Sequence, residues 1–363
     1  MHSWHLRATV LPHGRHPIDA WVGHGVISEQ PIAGASTLPG RFVLAGGLVD
    51  AHVHLTMNFG RALPHADGSD ALMGANADRH RHAGILALRD AGAAWGGVPH
   101  ELDEGPRLQR ASRLLAPAGR GYPNVCRSVE AGDLVAVAMA EVEAGADWVK
   151  VLADFPGADG NWFTAPANYP RAVISELVQQ AHTSGARVMA HSTGLAAADL
   201  LAAGVDSIEH GMAVTREQVE AMADQQIAWT ATLATADKHV GALAAAPTPV
   251  GAYLRSQFDR LRELFPLAVS RGVPVIAGTD EIGPGALWRE LQCLVDSGLT
   301  REQALAAGST VARTWLGFPA VAPGQLADLV TWDDDPRDDL ARLATPAAVL
   351  YGGKLVSQVR NAG

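Results

Sequence analysis

The sequence has few of the features that mark secreted or membrane-spanning proteins. It contains only two cysteines, Cys126 and Cys293, too few for a disulfide framework. No stretch reaches the roughly 18 apolar residues that a membrane helix needs, and the amino-terminal segment lacks the apolar run of a secretory signal. We therefore expect a cytoplasmic protein that does not associate with membranes.

Acidic residues outnumber basic residues in this chain. The chain of 363 residues has 28 Lys and Arg against 38 Asp and Glu, a formal net charge of −10. This balance argues against nucleic acid or an anionic membrane surface as a partner. Hydrophobic residues make up 48% of the chain, enough to fill a large core, which excludes global disorder. We expect the partner to be a small-molecule substrate. A homo-oligomer is compatible with the sequence.

The two ends of the chain differ from its middle. Residues 20–28 and 40–45 are short apolar runs bounded by Gly and Pro, and residues 325–332 and 347–356 have the same character. Gly352-Gly353 is a two-residue hairpin signal. We expect the terminal segments, 1–46 and 321–363, to pair into a small β-sandwich around a domain of residues 47–320.

The middle of the chain alternates short β-like runs with longer segments of helical spacing. Eight runs can be strands, at 48–52, 85–89, 113–117, 147–152, 186–191, 207–210, 227–232 and 273–280. Strict alternation predicts a parallel sheet in an α/β fold, and eight repeats favour closure into a (β/α)8 TIM barrel. An open doubly wound sheet is the alternative, but no glycine-rich phosphate turn follows the first strand.

Polar residues fall at or near the carboxyl ends of these strands, where the active sites of α/β barrels lie. Six of them could meet in one volume: His52, His54, Lys150, His191, His210 and Asp280. Any one alone is weak evidence, since isolated histidines are commonly structural. Together they favour a metal site, because imidazole and carboxylate are good ligands for zinc and similar ions.

The number of candidate ligands predicts two ions rather than one. Six exceed what a single tetrahedral ion with an open position takes, but they suit two divalent metals about 3.5–4 Å apart. A lysine ammonium beside two dications would be repelled. As a neutral amine, Lys150 could instead capture CO2 and become an anionic carbamate that bridges the ions. Zinc is the metal that we expect.

These motifs resemble those of the amidohydrolase superfamily, in its two-metal branch with a carboxylated lysine. The resemblance runs over nearly the whole chain and is carried by residues 44–54, 88–90, 145–151, 188–192, 206–211, 277–280 and 323–330. Within that superfamily the chain looks most like imidazolonepropionase-related proteins and Xaa-Pro or Xaa-Arg dipeptidases. The resemblance implies a distorted TIM barrel with a β-sandwich from both termini.

The resemblance also implies a distribution of ligands. His52, His54 and Asp280 would hold one ion, and His191 and His210 the other, with the carbamate of Lys150 as the bridge. Lys150 argues against a deaminase, because deaminases of this superfamily usually have one metal and no carboxylated lysine.

We expect a hydrolase of amide, cyclic amide or ester bonds that acts through a metal-bridging hydroxide. Asp280 would take the proton of this hydroxide and pass it to the leaving group. Two alternatives are a phosphotriester or lactone hydrolase on the same site and, less favoured, a non-catalytic barrel that binds a metabolite.

Loops after the strands supply candidate substrate-binding residues. Tyr122, Trp162 and His239 lie in loops long enough to cover the site. Arg89 either binds a substrate carboxylate by a two-pronged contact or pairs with its neighbour Asp90.

Overall fold

The part of the chain that the structure, a computed structural model, describes comprises residues 2–58, 65–66, 70–92, 102, 105–156 and 160–358. Its strands are, in chain order, β1 (Trp4–Val10), β2 (Pro17–Gly23), β3 (Val26–Ser28), β4 (Ser36–Thr37), β5 (Phe42–Ala45), β6 (Leu48–Val53), β7 (Met57–Asn58), β8 (His65–Ala66), β9 (Ile85–Asp90), β10 (Arg107–Gln109), β11 (Leu115–Ala116), β12 (Arg127–Ser128), β13 (Trp148–Leu152), β14 (Arg187–Ser192), β15 (Ser207–His210), β16 (Ala228–Ala231), β17 (Val275–Ala277), β18 (Leu329–Trp332), β19 (Ala348–Tyr351) and β20 (Lys354–Gln358).

Helices alternate with these strands through the middle of the chain. They are α1 (Asp70–His82), α2 (Leu134–Glu143), α3 (Arg171–Thr183), α4 (Ala197–Ala203), α5 (Arg216–Gln225), α6 (Leu233–Ala245), α7 (Pro249–Arg271), α8 (Leu287–Asp296), α9 (Arg301–Ala307) and α10 (Thr310–Leu316). Short 3-10 helices cover Trp162–Thr164, Asp280–Ile282 and Leu340–Ala344. In the ranges described, no helix is both long and apolar enough to cross a bilayer.

The ends of the chain form one sheet with strand order β20-β19-β18-β5-β1-β2-β3, and β4 pairs with β1. Strand β5 is central, because it pairs in parallel with β1 and antiparallel with β18. This terminal sheet has a small hydrophobic core of its own, which contains Trp4, Leu6, Val22 and Leu350. At the tip of the β19–β20 hairpin, Gly352 and Gly353 both have positive φ, the backbone that a two-residue hairpin turn requires. The expected terminal sandwich is confirmed.

The barrel strands are parallel and, apart from the half-buried β10, almost entirely buried. Strands β13, β14, β15, β16 and β17 pair in this order, and β10, β9 and β6 form a second run. A bridge between Ala111 and Trp148 joins the two runs on one side. On the other side, Asp50 of β6 accepts hydrogen bonds from the backbone N and the hydroxyl of Thr279, at 2.9 and 2.7 Å. The distorted barrel is thereby confirmed, with one seam closed by a side chain.

Two elements differ from the sequence-based expectation. The third barrel strand begins earlier than residue 113, because β10 already pairs with β9 from Arg107. The segment that contains His239, expected as a loop, is α6. Pro247 and Pro249 lie after the end of α6 and at the start of α7, where proline is compatible with helix formation. The domain boundaries at 46/47 and 320/321 stay predictions.

Candidate metal centre

Four histidines, one lysine and one aspartate line a single small cavity at the carboxyl ends of the barrel strands: His52, His54, Lys150, His191, His210 and Asp280. They come from five places along the barrel: His52 lies in β6 and His54 directly after it, and the others lie in β13, β14, β15 and the turn after β17. All six side chains are buried, with at most 9% of any residue exposed. The structure therefore brings together every residue that the sequence predicted as a metal ligand.

Asp280 lies at the centre of the histidines. Its Oδ1 is 3.4 Å from Nε2 of His54 and 3.9 Å from Nε2 of His52, and its Oδ2 is 3.9 Å from Nδ1 of His210. The rings of His191 and His210 are 4.5 Å apart between centroids. Ligand atoms of His52, His210 and Asp280 all lie within 4.8 Å of one another, close enough to hold one ion.

Hydrogen bonds behind the rings determine which nitrogen of two histidines faces the cavity. Nδ1 of His54 is 3.0 Å from the carbonyl oxygen of Gly92, and Nδ1 of His52 is 2.5 Å from a carboxylate oxygen of Glu209. Both oxygens are acceptors, so both rings carry a proton on Nδ1. Their Nε2 lone pairs are left for a metal ion.

The backbone is unusual at the two ligands nearest the strand ends. His210 has φ 69° and Asp280 has φ 48°, in the left-handed region that residues with a side chain rarely adopt. For His210 the turn has a clear effect, because both Glu209 and His210 contact groups inside the barrel although adjacent strand residues normally face opposite ways. Such strain is typical of functional sites.

Burial favours the neutral form of two of the imidazoles, His52 and His210. It lowers the pKa of His52 to about 4, helped by the charge of Lys150, and lowers the pKa of His210 to about 3. Both rings are therefore neutral at physiological pH, as metal binding requires. Burial also lowers the pKa of Lys150 to about 8, which increases the share of neutral amine that can react with CO2.

Two buried nitrogens in the cavity have no hydrogen-bond partner among the described residues: Nζ of Lys150 and Nε2 of His191. Buried polar groups in native proteins are nearly always paired, since an unpaired one loses its hydration without compensation. These two atoms face the same cavity as the other ligands. The site thus fits a divalent ion near His191 and a modified Lys150.

Two of the expected substrate-binding residues lie beside the ligands. Tyr122 lines the cavity and its ring contacts Phe155 and Trp162, at centroid distances of 5.5 and 6.0 Å. The Trp162 ring is 6.0 Å from that of His191. The three aromatic rings form one wall next to the candidate metal ligands.

His239 lies on α6 instead of in a loop. Its Nε2 is 2.8 Å from Oε2 of Glu281, which itself lines the cavity. Lys238 donates from Nζ to the backbone carbonyl of Glu281 at 3.0 Å. The side chains of His239 and Lys238 are about half exposed, so α6 places two basic groups at the rim of the site.

Arg89 lies inside the barrel, below the cavity, and is fully buried. Its Nη2 contacts both carboxylate oxygens of Glu209 at 2.9 and 3.0 Å and Oγ1 of Thr230 at 2.8 Å. It is not exposed to a substrate, and its carboxylate partner is Glu209, not Asp90. From this position it holds Glu209, so the expectation of a substrate-binding arginine is corrected.

Glu209 and Gly92 are supporting residues that sequence reasoning missed. Glu209 stands directly before His210, and Ser207, two residues earlier, faces the same way. That i, i+2 spacing on a strand is a signal for an inward-facing polar pair. Nothing in the sequence marks Gly92, because it acts through its carbonyl oxygen.

Comparison with known proteins agrees with this architecture. The profile of the amidohydrolase family matches residues 43–356, most of the chain. The chain belongs to the amidohydrolase family. Membership makes it an amidohydrolase-type hydrolase, and the resemblance to this superfamily noted in the sequence is confirmed.

This amidohydrolase is similar in sequence to one relative described below and similar in fold to two solved structures. It is 33% identical to an uncharacterised protein of Mycobacterium tuberculosis over 362 residues, covering 96% of this chain and 95% of the relative. An Xaa-Pro dipeptidase with bound methionine shares its fold with a TM-score of 0.79, 19% identity and coverage of 97% and 99%. The ochratoxinase of A. niger has a TM-score of 0.77, 19% identity and coverage of 98% and 96%.

Proposed function

We propose that this amidohydrolase cleaves an amide, cyclic amide or ester bond in the cavity at the end of the barrel. Two divalent metal ions, with zinc as the expected metal, would assist this cleavage. The observation that carries the proposal is the convergence of six buried ligand residues around the unpartnered Nζ of Lys150. An uncompensated amine in such a place costs free energy. Its conversion to a carbamate that binds metal would remove this cost.

The residues divide naturally between two ions. We assign His52 and His54, which offer Nε2 beside Asp280, to one ion. We assign His191 and His210, whose rings meet edge-on at 4.5 Å, to the other. Lys150, as a carbamate, would supply an oxygen to each group. Bound divalent ions polarise a carbonyl oxygen and lower the pKa of water from about 15.7 to about 7 in favourable sites.

Asp280 is the proton carrier in this proposal. Its carboxylate lies beside His52 and His54 and lines the cavity. It accepts the proton of the attacking water and delivers it to the departing amine or alkoxide. The proposal thus keeps the mechanism expected from the sequence, in which a hydroxide attacks the substrate and Asp280 carries the proton.

The walls of the cavity orient the substrate. Tyr122 and Trp162, with Phe155, present flat apolar surfaces beside His191, which suits a planar or apolar group next to the scissile bond. Lys238 and His239 both pair with the carboxylate of Glu281 at the rim of the site.

The test is a substrate panel with metal-loaded protein. Purified protein is stripped with a chelator, reloaded with zinc in the presence of bicarbonate, and assayed with N-acyl amino acids, dipeptides including Xaa-Pro, cyclic amides, esters, lactones and phosphotriesters. Hydrolysis of an amide or ester that depends on zinc supports the proposal. Zinc-dependent turnover confined to phosphotriesters, or no zinc bound at all, contradicts it.

A further inference from the structure

We propose that Glu209, held in place by Arg89, is a positioning residue that keeps His52 in the tautomer able to bind a metal ion. The inference rests on the proposed function in one respect, that His52 is a metal ligand. It assigns a role to a buried ion pair which that function does not use.

The contact between Glu209 and His52 allows one tautomer only. Glu209 is fully buried, and one carboxylate oxygen lies 2.5 Å from Nδ1 of His52. A carboxylate accepts hydrogen bonds and has none to donate. His52 therefore donates from Nδ1, and its Nε2 keeps a lone pair on the cavity side, 3.9 Å from Asp280.

Glu209 is itself prevented from turning away. Arg89 donates from Nη2 to both of its oxygens, and the hydroxyls of Ser207 and Thr230 donate to Oε1. With His52, every side of the carboxylate has a donor. The second oxygen thus stays directed at the histidine.

Arg89 is fixed by several strands at once. Its Nε donates to the carbonyl oxygen of Ala51 in β6 at 2.7 Å, and its Nη2 donates to Thr230 in β16 at 2.8 Å. The guanidinium carbon lies 4.7 Å from the centre of the Trp148 ring in β13. The position of Glu209 is therefore set by the whole barrel interior, not by its own strand alone.

The energetics of a buried ion pair support a functional reading. Removing a carboxylate and a guanidinium from water costs more than their attraction commonly returns, and apolar side chains of similar volume often stabilise a fold as well. Such a pair directly behind a candidate ligand has a purpose that an apolar pair could not serve. It orients the ring and increases the basicity of its free nitrogen.

The first experiment measures zinc affinity of Glu209→Gln by competition with a chromophoric chelator. The loss of an orienting partner behind a metal-bound histidine weakens affinity by about 10- to 100-fold. The second readout is 15N NMR of the metal-free protein, in which the His52 ring should be uniformly Nδ1-protonated in the wild type and a mixture of tautomers in the variant.

A double variant separates positioning from folding. Glu209→Gln alone leaves the guanidinium of Arg89 buried and unpaired, which lowers stability. Arg89→Met combined with Glu209→Gln removes both charges. We expect the Tm of the double variant to recover toward that of the wild type, while its zinc affinity stays reduced by about 10-fold or more.

Glu141 provides a matched control. It is buried and pairs with two arginines, Arg113 and Arg127, at 2.6 and 2.7 Å, but none of the six candidate ligands touches it. Glu141→Gln should lower the Tm and leave both zinc affinity and the His52 tautomer unchanged.

Three outcomes overturn the inference. The first is a Glu209→Gln variant with wild-type zinc affinity and tautomer. The second is a zinc affinity that follows the Tm through all variants, Glu141→Gln included, since that indicates a purely structural role. The third is a wild-type protein that binds no zinc, which overturns the proposed function as well and so differs from the other two.

Discussion

His54 and Asp280 meet across the seam of the barrel, with Nε2 of the histidine 3.4 Å from Oδ1 of the aspartate. One residue follows the first barrel strand and the other follows the last. Because β6 and β17 share no ladder pair in the described ranges, the contact depends on the bonds between Asp50 and Thr279 that close this seam. The hydrogen bonds that close the barrel at this seam thus lie directly beside the candidate site.

Replacement of Asp280 by Asn should separate metal binding from turnover. The amide keeps one oxygen that can bind an ion but cannot take up a proton. We expect kcat to fall by about 10²- to 10⁴-fold while zinc content stays near that of the wild type. Steady-state kinetics and metal analysis on the same preparation measure both, and an Asn variant that turns over at the wild-type rate would refute the role of Asp280.

Carbamylation of Lys150 should be visible without a substrate. The chain has three lysines, Lys150, Lys238 and Lys354. Zinc-loaded protein in 13C-bicarbonate should show one carbamate resonance, which Lys150→Arg abolishes and Lys354→Arg leaves in place. If the resonance survives in Lys150→Arg, the bridging ligand has been misassigned.

His191 should matter for one ion more than for the other. Its Nε2 has no partner in the described structure, and the supports of His52 and His54 do not involve it. We expect His191→Ala to bind about one zinc ion per chain where the wild type binds about two, since one set of ligands stays intact. Equilibrium dialysis with metal analysis checks the stoichiometry, and retention of both ions would contradict the assignment.

Glu290 should make stability depend on pH. It is fully buried, accepts a hydrogen bond from the backbone N of Ala234, and burial raises its pKa from 4.5 to about 8. Between these pH values the unfolded chain loses the proton and the folded chain keeps it, so the free energy of unfolding falls as pH rises.

Glu290→Gln removes this proton linkage and can still accept the bond from Ala234. The variant should gain stability relative to the wild type from pH 5 to pH 8. Urea unfolding of both proteins at the same zinc loading measures the difference. A difference that stays constant over this range would show that the carboxyl group is not protonated in the folded protein.

Asp328 should contribute to the junction of barrel and sandwich. It is fully buried, accepts two hydrogen bonds from Arg107 of β10 at 2.8 and 3.0 Å, and accepts one from the backbone N of Gly352. Asp328→Asn should lower the free energy of unfolding by about 1–3 kcal/mol. Asp338→Asn, at an exposed pair with Arg342, is the control and should change little. If both substitutions lowered the free energy of unfolding equally, Asp328 would have no special role at the junction.

The sequence predicted what depends on periodicity and on strand ends. Apolar runs followed by His, Lys or Asp were enough to predict an eight-strand barrel and six residues on one face, because parallel strands end at the same edge. The family and the fold are confirmed, and the division of the ligands between two ions stays a prediction.

The direction of a side chain near a strand end was not predictable in the same way. Arg89 belongs to a buried strand, and whether it faces the cavity or the barrel interior depends on register and twist, which one sequence does not reveal. For α6, a segment with an internal Gly241 and nearby prolines is equally compatible with a loop. In the structure, hydrogen bonds from Ala234 to Glu290 and from Thr235 to the Thr279 carbonyl connect the first turn of α6 to the rest of the barrel.

The central strand β5 has a consequence for biosynthesis. One neighbour, β1, precedes it in the chain, while the other, β18, begins at Leu329. On a translating ribosome β5 therefore has one open edge until β18 has emerged, and chaperones can shield it during that time. The sheet is completed only when β18 pairs with β5 beside Ala45 and β19 and β20 follow, some tens of seconds after β5 is made.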